Sequence, residues 1–406
     1  MRGHVRRRGA RWQTVVEIGE QPAQVCPPCK KVYWLDNKRR ERCPLCGGEL
    51  EDVRRRRQNT QSGYNTKKEA EAALQKQLVA RREGTYCEPD KTTVSEYLKE
   101  WLPAIEHTLR PNSYHAYKGD VDSHIAEHLG RIPLGQLHAG HINAMYASLA
   151  EQGLSPATRR RIHRTLHRAL HDAVRWGRLR ANPAAAADPP RVTAPEMKTW
   201  SGQQLRQFLD HVADDRLHPL WRTMALTGMR RGEALGLKLG DIDLDAARLN
   251  IRRARVQVGY EVRESEPKTK RSARMLPLDA ETVVVLRSWL ERQAGELGRL
   301  EAKQTADTFL FTNEAGEPLH PDRARKCFET AQARVRKEVE DLPRIRLHDL
   351  RHTFATLALS AGINPKVVAD RLGHSTVSMT LDRYSHVLPA LQESAVELVA
   401  ALVDRR

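Results

Sequence analysis

The hydrophobic and polar positions at the start of the chain first alternate and then follow a helical period. Residues 10–19 alternate as a β-strand does, and residues 53–66 are basic and predicted to be extended. In the helical pattern that follows, Thr66 and Glu69 have the spacing of a capping box. These segments predict a small α+β module over residues 1–90.

Helical periodicity then dominates, with apolar residues three and four positions apart in four successive segments. We therefore predict an all-α bundle over residues 91–181. In its last helix, Ser155 is the expected N-cap and Pro156 the first helical residue. The residues of this helix that are predicted to be buried are Ile162, Leu166, Leu170 and Val174.

The other faces of this last helix are rich in arginine and histidine. Five arginines predict a face toward DNA: Arg159, Arg160, Arg161, Arg164 and Arg168. His163, His167 and His171 follow at four-residue steps, a spacing that a metal site can use. Because no cluster of carboxylates or cysteines accompanies them, we favour a mixed polar face of arginine and histidine.

A stretch rich in proline and alanine, residues 182–196, has no periodicity and is predicted to be a linker. Beyond it, residues 197–390 mix helices with strands, which predicts a mixed α/β, mainly helical domain. The alternating segments 247–257 and 260–265 precede a polar turn and a returning strand, so a hairpin is expected there. We expect a last helix, residues 391–406, to contact a neighbouring subunit.

The composition narrows the class of partner. The chain has 406 residues, with 68 Lys and Arg against 51 Asp and Glu, so its formal net charge is +17. This surplus favours a polyanion, and nucleic acid fits better than an acidic membrane surface. No run approaches the ~20 apolar residues of a membrane span, and no apolar signal region follows the basic N-terminus. We therefore expect a cytoplasmic protein without a membrane partner.

Four of the six cysteines form two C-x-x-C knuckles, Cys26 with Cys29 and Cys43 with Cys46. Four thiolates at this spacing can converge on one tetrahedral ion, so we predict a structural Zn²⁺ in a ribbon over about residues 24–50. Two disulfides or a redox pair are the alternatives. A cytosolic chain disfavours the disulfides, and no βαβ pattern adjoins the knuckles to support a redox pair. A catalytic zinc is not expected, because four cysteines leave no open coordination position.

Candidate chemistry is concentrated in the third domain, in the motifs TGMRRGE, LHDLRH, LGH and LDRYSH and in the polar turn PKTKRS. Their candidate residues are Arg230, Glu233, His348, Arg351, His374 and Tyr384, with Lys268 or Lys270 on the turn. Phosphodiester transfer without a metal needs a nucleophile, cations on the non-bridging oxygens and a proton for the leaving oxygen. Tyrosine can be a covalent nucleophile, arginine suits the phosphate oxygens, and a lysine can protonate the leaving 5′ oxygen.

These five motifs follow one another along the chain as TGMRRGE, PKTKRS, LHDLRH, LGH and LDRYSH, and in that order they resemble the tyrosine recombinase (phage integrase) family. The resemblance covers Pro195 to Pro389, and the helical bundle before it is similar to the core-binding domain of that family. The first module resembles the arm-type DNA-binding domain of phage and conjugative-transposon integrases. The inserted four-cysteine ribbon departs from the simpler pattern of that domain.

The resemblance implies that Tyr384 attacks a scissile phosphate and forms a 3′-phosphotyrosyl link, so that catalysis needs neither ATP nor a metal. The other roles that it implies are phosphate binding by Arg230 and Arg351, hydrogen bonding or proton transfer by His348 and His374, and orientation by Glu233. Lys268 lies at the strand end before the turn and is preferred to Lys270 as the general acid.

We expect a site-specific recombinase that integrates or excises a mobile element through a Holliday junction. Its expected partners are double-stranded DNA with core and arm attachment sites, three further copies in a homotetramer, and an excisionase or a host DNA-bending factor in a bacterial cytoplasm. Two alternatives are a DNA-binding regulator that has kept the scaffold without catalysis and a type IB topoisomerase. The filled catalytic positions disfavour the first, and the two additional DNA-binding modules disfavour the second.

Overall fold

The computed structural model describes residues 3–35, 39–82, 91–193, 197–265 and 273–384. Two compact units divide the chain, residues 1–107 with 117–192 and residues 108–116 with 193–406. Among the described residues, every helix is too short or too polar to cross a membrane. The helix predicted over residues 391–406 lies outside the described residues.

The first unit begins with four strands and a helix: β1 (Gly3–Arg8), β2 (Arg11–Val25), β3 (Val32–Trp34), β4 (Glu51–Tyr64) and α1 (Lys67–Arg82). The sheet is antiparallel; β4 follows β2 along nearly its whole length, and β1 and β3 pair with the two ends of β2. The extended segment predicted at residues 53–66 is confirmed as β4 over most of its length. The capping box is also confirmed, because Glu69 N–H donates to Thr66 Oγ1 over 3.2 Å and Thr66 N–H donates to Glu69 Oε2 over 3.4 Å.

Five α-helices follow: α2 (Val94–Ile105), α3 (Pro111–Asp120), α4 (Ala126–Leu129), α5 (Ala139–Glu151) and α6 (Pro156–Arg175). Residues 111–116 of α3 belong to the second unit, and the rest of these helices belong to the first. All four predicted helical segments are helical, and a π-helical turn at residues 121–125 separates α3 from α4. Ser155 is the N-cap of α6 as predicted, since its Oγ accepts a 3.2 Å bond from Thr158 N–H.

One of the four residues of α6 that were predicted to be buried is not. Ile162, Leu166 and Leu170 are fully buried, but Val174 is only half-buried and Ala173 faces the core instead. With 3.6 residues per turn, the contact stripe drifts around a long helix, so a strict four-residue step fails at its end. His163 is also buried, with Nδ1 2.6 Å from the Tyr146 hydroxyl, and is therefore a core residue of the unit.

The first half of the predicted linker packs on these helices. Asn182 Nδ2 donates to His167 O over 2.9 Å, and the amide of Asn143 exchanges two 2.9 Å bonds with Asp188. Ala184 and Ala187 between them are buried. Small alanine side chains lack helical periodicity yet can pack closely, so residues 182–188 form an ordered edge of the first unit.

The second unit contains α7 (Gly202–His211), α8 (His218–Thr227), α9 (Arg231–Leu235), β5 (Ile242–Asp243), β6 (Arg248–Ile251), β7 (Ala254–Val258), β8 (Glu261–Ser265) and β9 (Arg274–Pro277). Its later helices are α10 (Ala280–Gly298), α11 (Pro321–Val335), α12 (Asp349–Ser360), α13 (Pro365–Leu372) and α14 (Val377–Arg383). The mixed, mainly helical fold predicted for this domain is confirmed.

The strand pairing of the second unit differs from the predicted hairpin. Residues 247–257 form two strands in different sheets, because the chain breaks at Arg252 and Arg253. Both arginines form ion pairs with Asp241, which is buried. β8 pairs with β7, whereas β9 returns to pair with β6. This pairing holds Arg274, the first residue of β9, beside β6.

One hydrophobic core carries the helices that hold the candidate motifs. Trp200, Phe208, Trp221 and Phe328 pack with ring centroids 4.8 to 6.0 Å apart. Leu350 on α12 belongs to this core, so the start of α12 is rigidly placed. Leu347 and Leu350, around the start of α12, are buried, whereas Phe354 and Leu357 further along it are half-buried.

Candidate active site

Arg230 lies at a sharp turn between α8 and α9. α8 ends at Gly228, whose left-handed φ of 66° suits glycine, and a Cβ there would lie 2.5 Å from the Phe354 ring. Arg230 is the N-cap of α9, and its N–H donates to Glu233 Oε2 over 2.8 Å. The TGMRRGE motif therefore directs the Arg230 side chain out of the core while it keeps Glu233 inside.

Glu233 joins two arginines in an Arg–Glu network of Arg230, Glu233 and Arg274. Glu233 is 5% exposed and accepts bonds from Arg230 Nη1 (2.8 Å) and from Arg274 Nη1 and Nη2 (3.2 and 2.9 Å). Burial alone would raise the pKa of this carboxyl, but the hydrogen bonds from Arg274 and the charges of both arginines lower it. Glu233 is thus an anion that orients both guanidinium groups.

Arg274 is a site residue that the sequence reasoning missed. Its side chain is 8% exposed, and its Nε donates to Arg371 O over 2.6 Å. A Cβ at Gly373 would come within 2.8 Å of Arg274 Nη1, so glycine leaves room for the guanidinium. No spacing in the motifs pointed to Arg274, because β9 reaches Glu233 only through its pairing with β6.

Arg351 on α12 is 3% exposed, and its two terminal nitrogens have different surroundings. Its Nη1 donates to Gly228 O over 2.9 Å, whereas its Nη2 has no hydrogen-bond partner among the described residues. Burial, and then the positive charge of Arg230, lower the pKa of Arg351 to about 9. A buried guanidinium with an unused N–H is a site that an anionic oxygen would satisfy.

The two motif histidines occupy different environments. His374 follows α13, is 8% exposed and has its Nδ1 2.7 Å from Thr380 Oγ1. Burial, with the charges of Arg351 and Arg230, lowers the pKa of His374 to about 4, so this ring is neutral near pH 7. His348 is the N-cap of α12 and remains exposed. Its pKa is lowered by partial burial and by Arg351.

Tyr384 ends α14 with its side chain fully buried. It packs in a small apolar cluster with Ala355, Leu359 and Leu372. Its hydroxyl lies 2.7 Å from Nδ1 of His352, the last residue of the LHDLRH motif. Burial raises the pKa of Tyr384 to about 12.

Direct contacts join some of the predicted site residues. Arg230 contacts Glu233 and the backbone of Gly373, which precedes His374. Arg230 Nη2 donates to Gly373 O over 3.2 Å, and Arg351 is bonded to Gly228, two residues before Arg230. Lys268 and Lys270 lie outside the described residues, so the assignment of the general acid stays a prediction. Tyr384 reaches this group through its hydrogen bond to His352, the neighbour of Arg351.

The four cysteines meet in one cluster between β2 and β4. Their Sγ atoms all lie within 4.8 Å of one another, with Cys26 and Cys46 3.3 Å apart and Cys29 and Cys43 3.5 Å apart. These distances exceed the S–S bond of about 2.0 Å and approach the ~3.8 Å between sulfurs around a tetrahedral Zn²⁺. The cluster has the ligand number and chemistry that a structural zinc requires.

Two neighbours shape the cysteine cluster. A Cβ at Gly48 would lie 3.2 Å from Pro28 Cγ, which is a tight contact, so glycine leaves room for the first knuckle. Cys43 Sγ lies 3.2 Å from the Tyr33 hydroxyl. This hydrogen bond from Tyr33 is the main cause that lowers the pKa of Cys43 to about 6, which favours the thiolate form that binds metals.

Comparison with known families agrees with this arrangement. Residues 199–390 match the model of the phage integrase family, and residues 93–150 match the N-terminal SAM-like domain of phage integrases. The chain carries phage integrase domains. Among curated relatives, the XerC-like tyrosine recombinase of Caldanaerobacter subterraneus is 28% identical over 82% of this chain and 89% of that protein. The ICEBs1 integrase of Bacillus subtilis is 26% identical over 73% of this chain and 80% of the relative.

Solved structures show the same fold. The Tn1549 transposon integrase in complex with transposon right end DNA has a TM-score of 0.64 at 22% identity, and the match covers 76% of this chain and 99% of that one. The lambda integrase tetramer bound to a Holliday junction has a TM-score of 0.53 at 17% identity, over 82% of this chain and 92% of that one. The protein is a site-specific recombinase of the tyrosine type, as the motifs predicted.

Proposed function

We propose that this recombinase integrates or excises a mobile element by a covalent mechanism in which Tyr384 is the nucleophile. The Tyr384 oxygen forms a 3′-phosphotyrosyl bond as the 5′ oxygen leaves, and a free 5′ hydroxyl later reverses this step through a Holliday junction. The energy of the phosphodiester is kept in the covalent link, so the reaction consumes no ATP and requires no catalytic metal. The single observation that carries the proposal is the buried, unused Nη2 of Arg351.

Arg351 and Arg230 then bind the non-bridging oxygens of the phosphate. The Arg230 side chain is 39% exposed and can meet DNA, while Glu233 keeps its guanidinium oriented. Preorganised hydrogen-bond donors of this kind make the largest single contribution to the rate enhancement of many enzymes. His348 and His374 complete the site as hydrogen-bond donors or proton carriers, and Lys268, in preference to Lys270, protonates the leaving 5′ oxygen.

We assign residues 1–90 to arm-type DNA binding, residues 91–181 to core-site binding, residues 182–196 to a linker, residues 197–390 to catalysis and residues 391–406 to subunit contact. The partner is double-stranded DNA, on which four copies act together, with an excisionase or a host DNA-bending factor to control direction. Two relatives favour this assignment by name, since one was solved on transposon end DNA and the other as a tetramer on a Holliday junction. The site of action is the cytoplasm of a bacterial host.

The cysteine cluster is proposed to hold one structural Zn²⁺ through Cys26, Cys29, Cys43 and Cys46, which orders the segment between β2 and β4. A zinc there would fix the end of the sheet against which β3 pairs. Metal analysis of the purified chain should give about one zinc per molecule. A folded sample with four free thiols and no metal would contradict the proposal.

A Cys26→Ser change tests where the zinc acts, with Cys327→Ser in the second unit as the matched control. We expect Cys26→Ser to weaken binding to arm-site DNA while cleavage of a core site stays near the wild-type rate. An equal loss of both activities would show that the proposed domain division is wrong.

Replacement of the nucleophile tests the proposed mechanism directly. On a nicked suicide substrate, the wild-type enzyme should accumulate a covalent protein–DNA adduct, and Tyr384→Phe should bind the same DNA without an adduct. Tyr260→Phe is the control, because Tyr260 is fully exposed in the turn between β7 and β8.

A wild-type protein that binds DNA and never forms an adduct would be a regulator rather than a recombinase. Relaxation of supercoiled DNA without recombination between two attachment sites would indicate a topoisomerase.

A further inference from the structure

His352 has a contact that none of the assigned roles uses. It follows Arg351 on α12, and its ring is 6% exposed. Its Nδ1 lies 2.7 Å from the Tyr384 hydroxyl, within ordinary hydrogen-bond distance for a neutral acceptor. His352 therefore touches the atom that attacks the phosphate in the proposed function.

The direction of this hydrogen bond follows from the charge state of the two rings. Burial, and then the neighbouring His348, lower the pKa of His352 to about 4, so the imidazole is neutral near pH 7. Tyr384 keeps its proton because burial raises its pKa to about 12. The tyrosine hydroxyl is thus the donor and His352 Nδ1 the acceptor, with the imidazole proton on Nε2.

Other charged groups face the same ring. Asp349 on the first turn of α12 favours the imidazolium electrostatically, while Arg383 at the end of α14 and Arg351 disfavour it. Asp349 is itself bonded to Arg346, at 3.0 Å from Nε and 2.9 Å from Nη2, so its charge is largely compensated. These contacts keep His352 available as a proton acceptor.

We propose that His352 receives the hydroxyl proton of Tyr384 when the tyrosine attacks the scissile phosphate. This inference rests on the proposed nucleophile. As the Tyr384 oxygen bonds to phosphorus, its proton passes to His352 Nδ1, the bond from phosphorus to the 5′ oxygen breaks, and the lysine general acid protonates that oxygen. In the rejoining step, the attacking 5′ hydroxyl returns its proton to the lysine and the imidazolium returns its proton to the departing phenolate, so the two steps together consume no external acid or base.

The two motif histidines are less suited to this step. The Nδ1 of His374 is engaged by Thr380 Oγ1, and His348 is exposed at the helix N-cap. The Tyr384 side chain is fully buried, which limits access of water as an alternative base. His352 is the described residue with a ring nitrogen bonded to that hydroxyl.

The test is the pH dependence of adduct formation by His352→Asn on the suicide substrate. Asparagine can accept the hydrogen bond but cannot take the proton, so the rate at pH 7 should fall by about 100-fold or more. The residual rate should then rise about tenfold per pH unit, because Tyr384 must ionise unaided, whereas the wild-type rate should be nearly flat. His211→Asn, an exposed histidine on α7, is the control and should follow the wild-type profile.

Two outcomes would overturn the inference: wild-type rates in His352→Asn, or a loss that is equal at every pH. DNA binding and the melting temperature of the variant verify that it folds. If His352→Asn does not fold, the experiment is done instead on a chain that carries 3,5-difluorotyrosine at position 384 and an unchanged His352. Because this phenol is more acidic, the cleavage rate at low pH should depend less on His352 as the base. An unchanged profile with that residue also contradicts the inference. An adduct that persists in Tyr384→Phe would instead refute the proposed nucleophile, which separates the two failures.

Discussion

Arginine is used in two different ways in the two units of this protein. In the second unit, Arg274 and Arg351 are buried, and each is held by hydrogen bonds to a carboxylate or a backbone carbonyl. In the first unit, Arg54, Arg55 and Arg56 are exposed on β4. The buried residues can direct a guanidinium at one phosphate, while the exposed residues can neutralise many phosphates without fixed geometry. The difference separates catalytic charge from binding charge.

Changing a buried arginine should have the largest effect on adduct formation. Arg351→Lys keeps the charge but loses the planar fork that bonds Gly228 O and, in the proposed function, binds a phosphate oxygen as well. We expect adduct formation to fall by about 100-fold to 1,000-fold with DNA affinity nearly unchanged. Arg287→Lys, an exposed arginine paired with exposed Asp245, is the control for the substitution itself. A parallel loss of binding would show that Arg351 serves affinity.

Acid should destabilise the second unit more than the first. Among the described residues, the second unit buries His352 and His374 and the first unit buries His163, and the pKa of each is lowered to about 4. Because the folded pKa is below the unfolded value, the stability is full above about pH 6.5 and is lost as the pH falls toward 4, at about 3 kcal/mol for each histidine.

Calorimetric scans of the full chain between pH 7 and pH 4.5 measure this difference. His374→Gln should flatten the pH dependence of unfolding of the second unit, and His163→Gln that of the first. If neither change alters the pH dependence, the buried histidines do not cause the acid sensitivity.

Two glycines separate backbone strain from damage to the Arg–Glu network. Gly373 and Gly362 both have left-handed φ, 67° and 79°, so alanine at either should cost about 1 to 2 kcal/mol of stability. A Cβ at Gly373 also meets Arg274 Nη1 at 2.8 Å, whereas a Cβ at Gly362 meets nothing within 4 Å. We expect Gly373→Ala alone to slow adduct formation, by about tenfold. Equal rates of adduct formation in the two variants would show that the position of Arg274 does not affect catalysis.

The smallest expected effect is on the exposed arginines. Alternation along β4 puts Arg54 and Arg56 on the face opposite Gln61, which is hydrogen-bonded to Gln77 of α1. A plot of log affinity for arm-site DNA against log salt has a negative slope, and changing both arginines to Gln should make it shallower by about 2. The adduct rate on a core site should stay unchanged. The control is Arg55→Gln, on the face toward α1. An equal change in slope per residue would mean that both faces of β4 contact phosphate.

The sequence predicted the local elements well where the determinants are local. The capping box of α1 and the N-cap of α6 need only residues three positions apart, and both form as predicted. The candidate residues Arg230 and Glu233 were also recognisable, because an i, i+3 spacing on one helix brings their side chains together. The burial of Val174 was predicted wrongly, because a strict four-residue step leaves the buried stripe of a helix with 3.6 residues per turn.

Arg274 and His352 could not be assigned from their surroundings in sequence. Arg274 is 41 residues from Glu233, and their contact depends on β9 pairing with β6 rather than with β8. His352 is 32 residues from Tyr384, and their hydrogen bond requires Tyr384, at the end of α14, to pack against α12. A residue motif records which side chains are present, but contacts between distant elements depend on strand pairing and helix packing.

The sequence by itself determined the multidomain organisation, the order of the recombinase motifs and the positions of the paired cysteines, because each depends on short-range spacing or composition. Only the tertiary structure decided the network of Glu233 with two arginines, the burial of Arg351 with an unused donor, and the hydrogen bond from Tyr384 to His352. These features depend on desolvation and on distances between residues far apart in the chain, and folding alone establishes both.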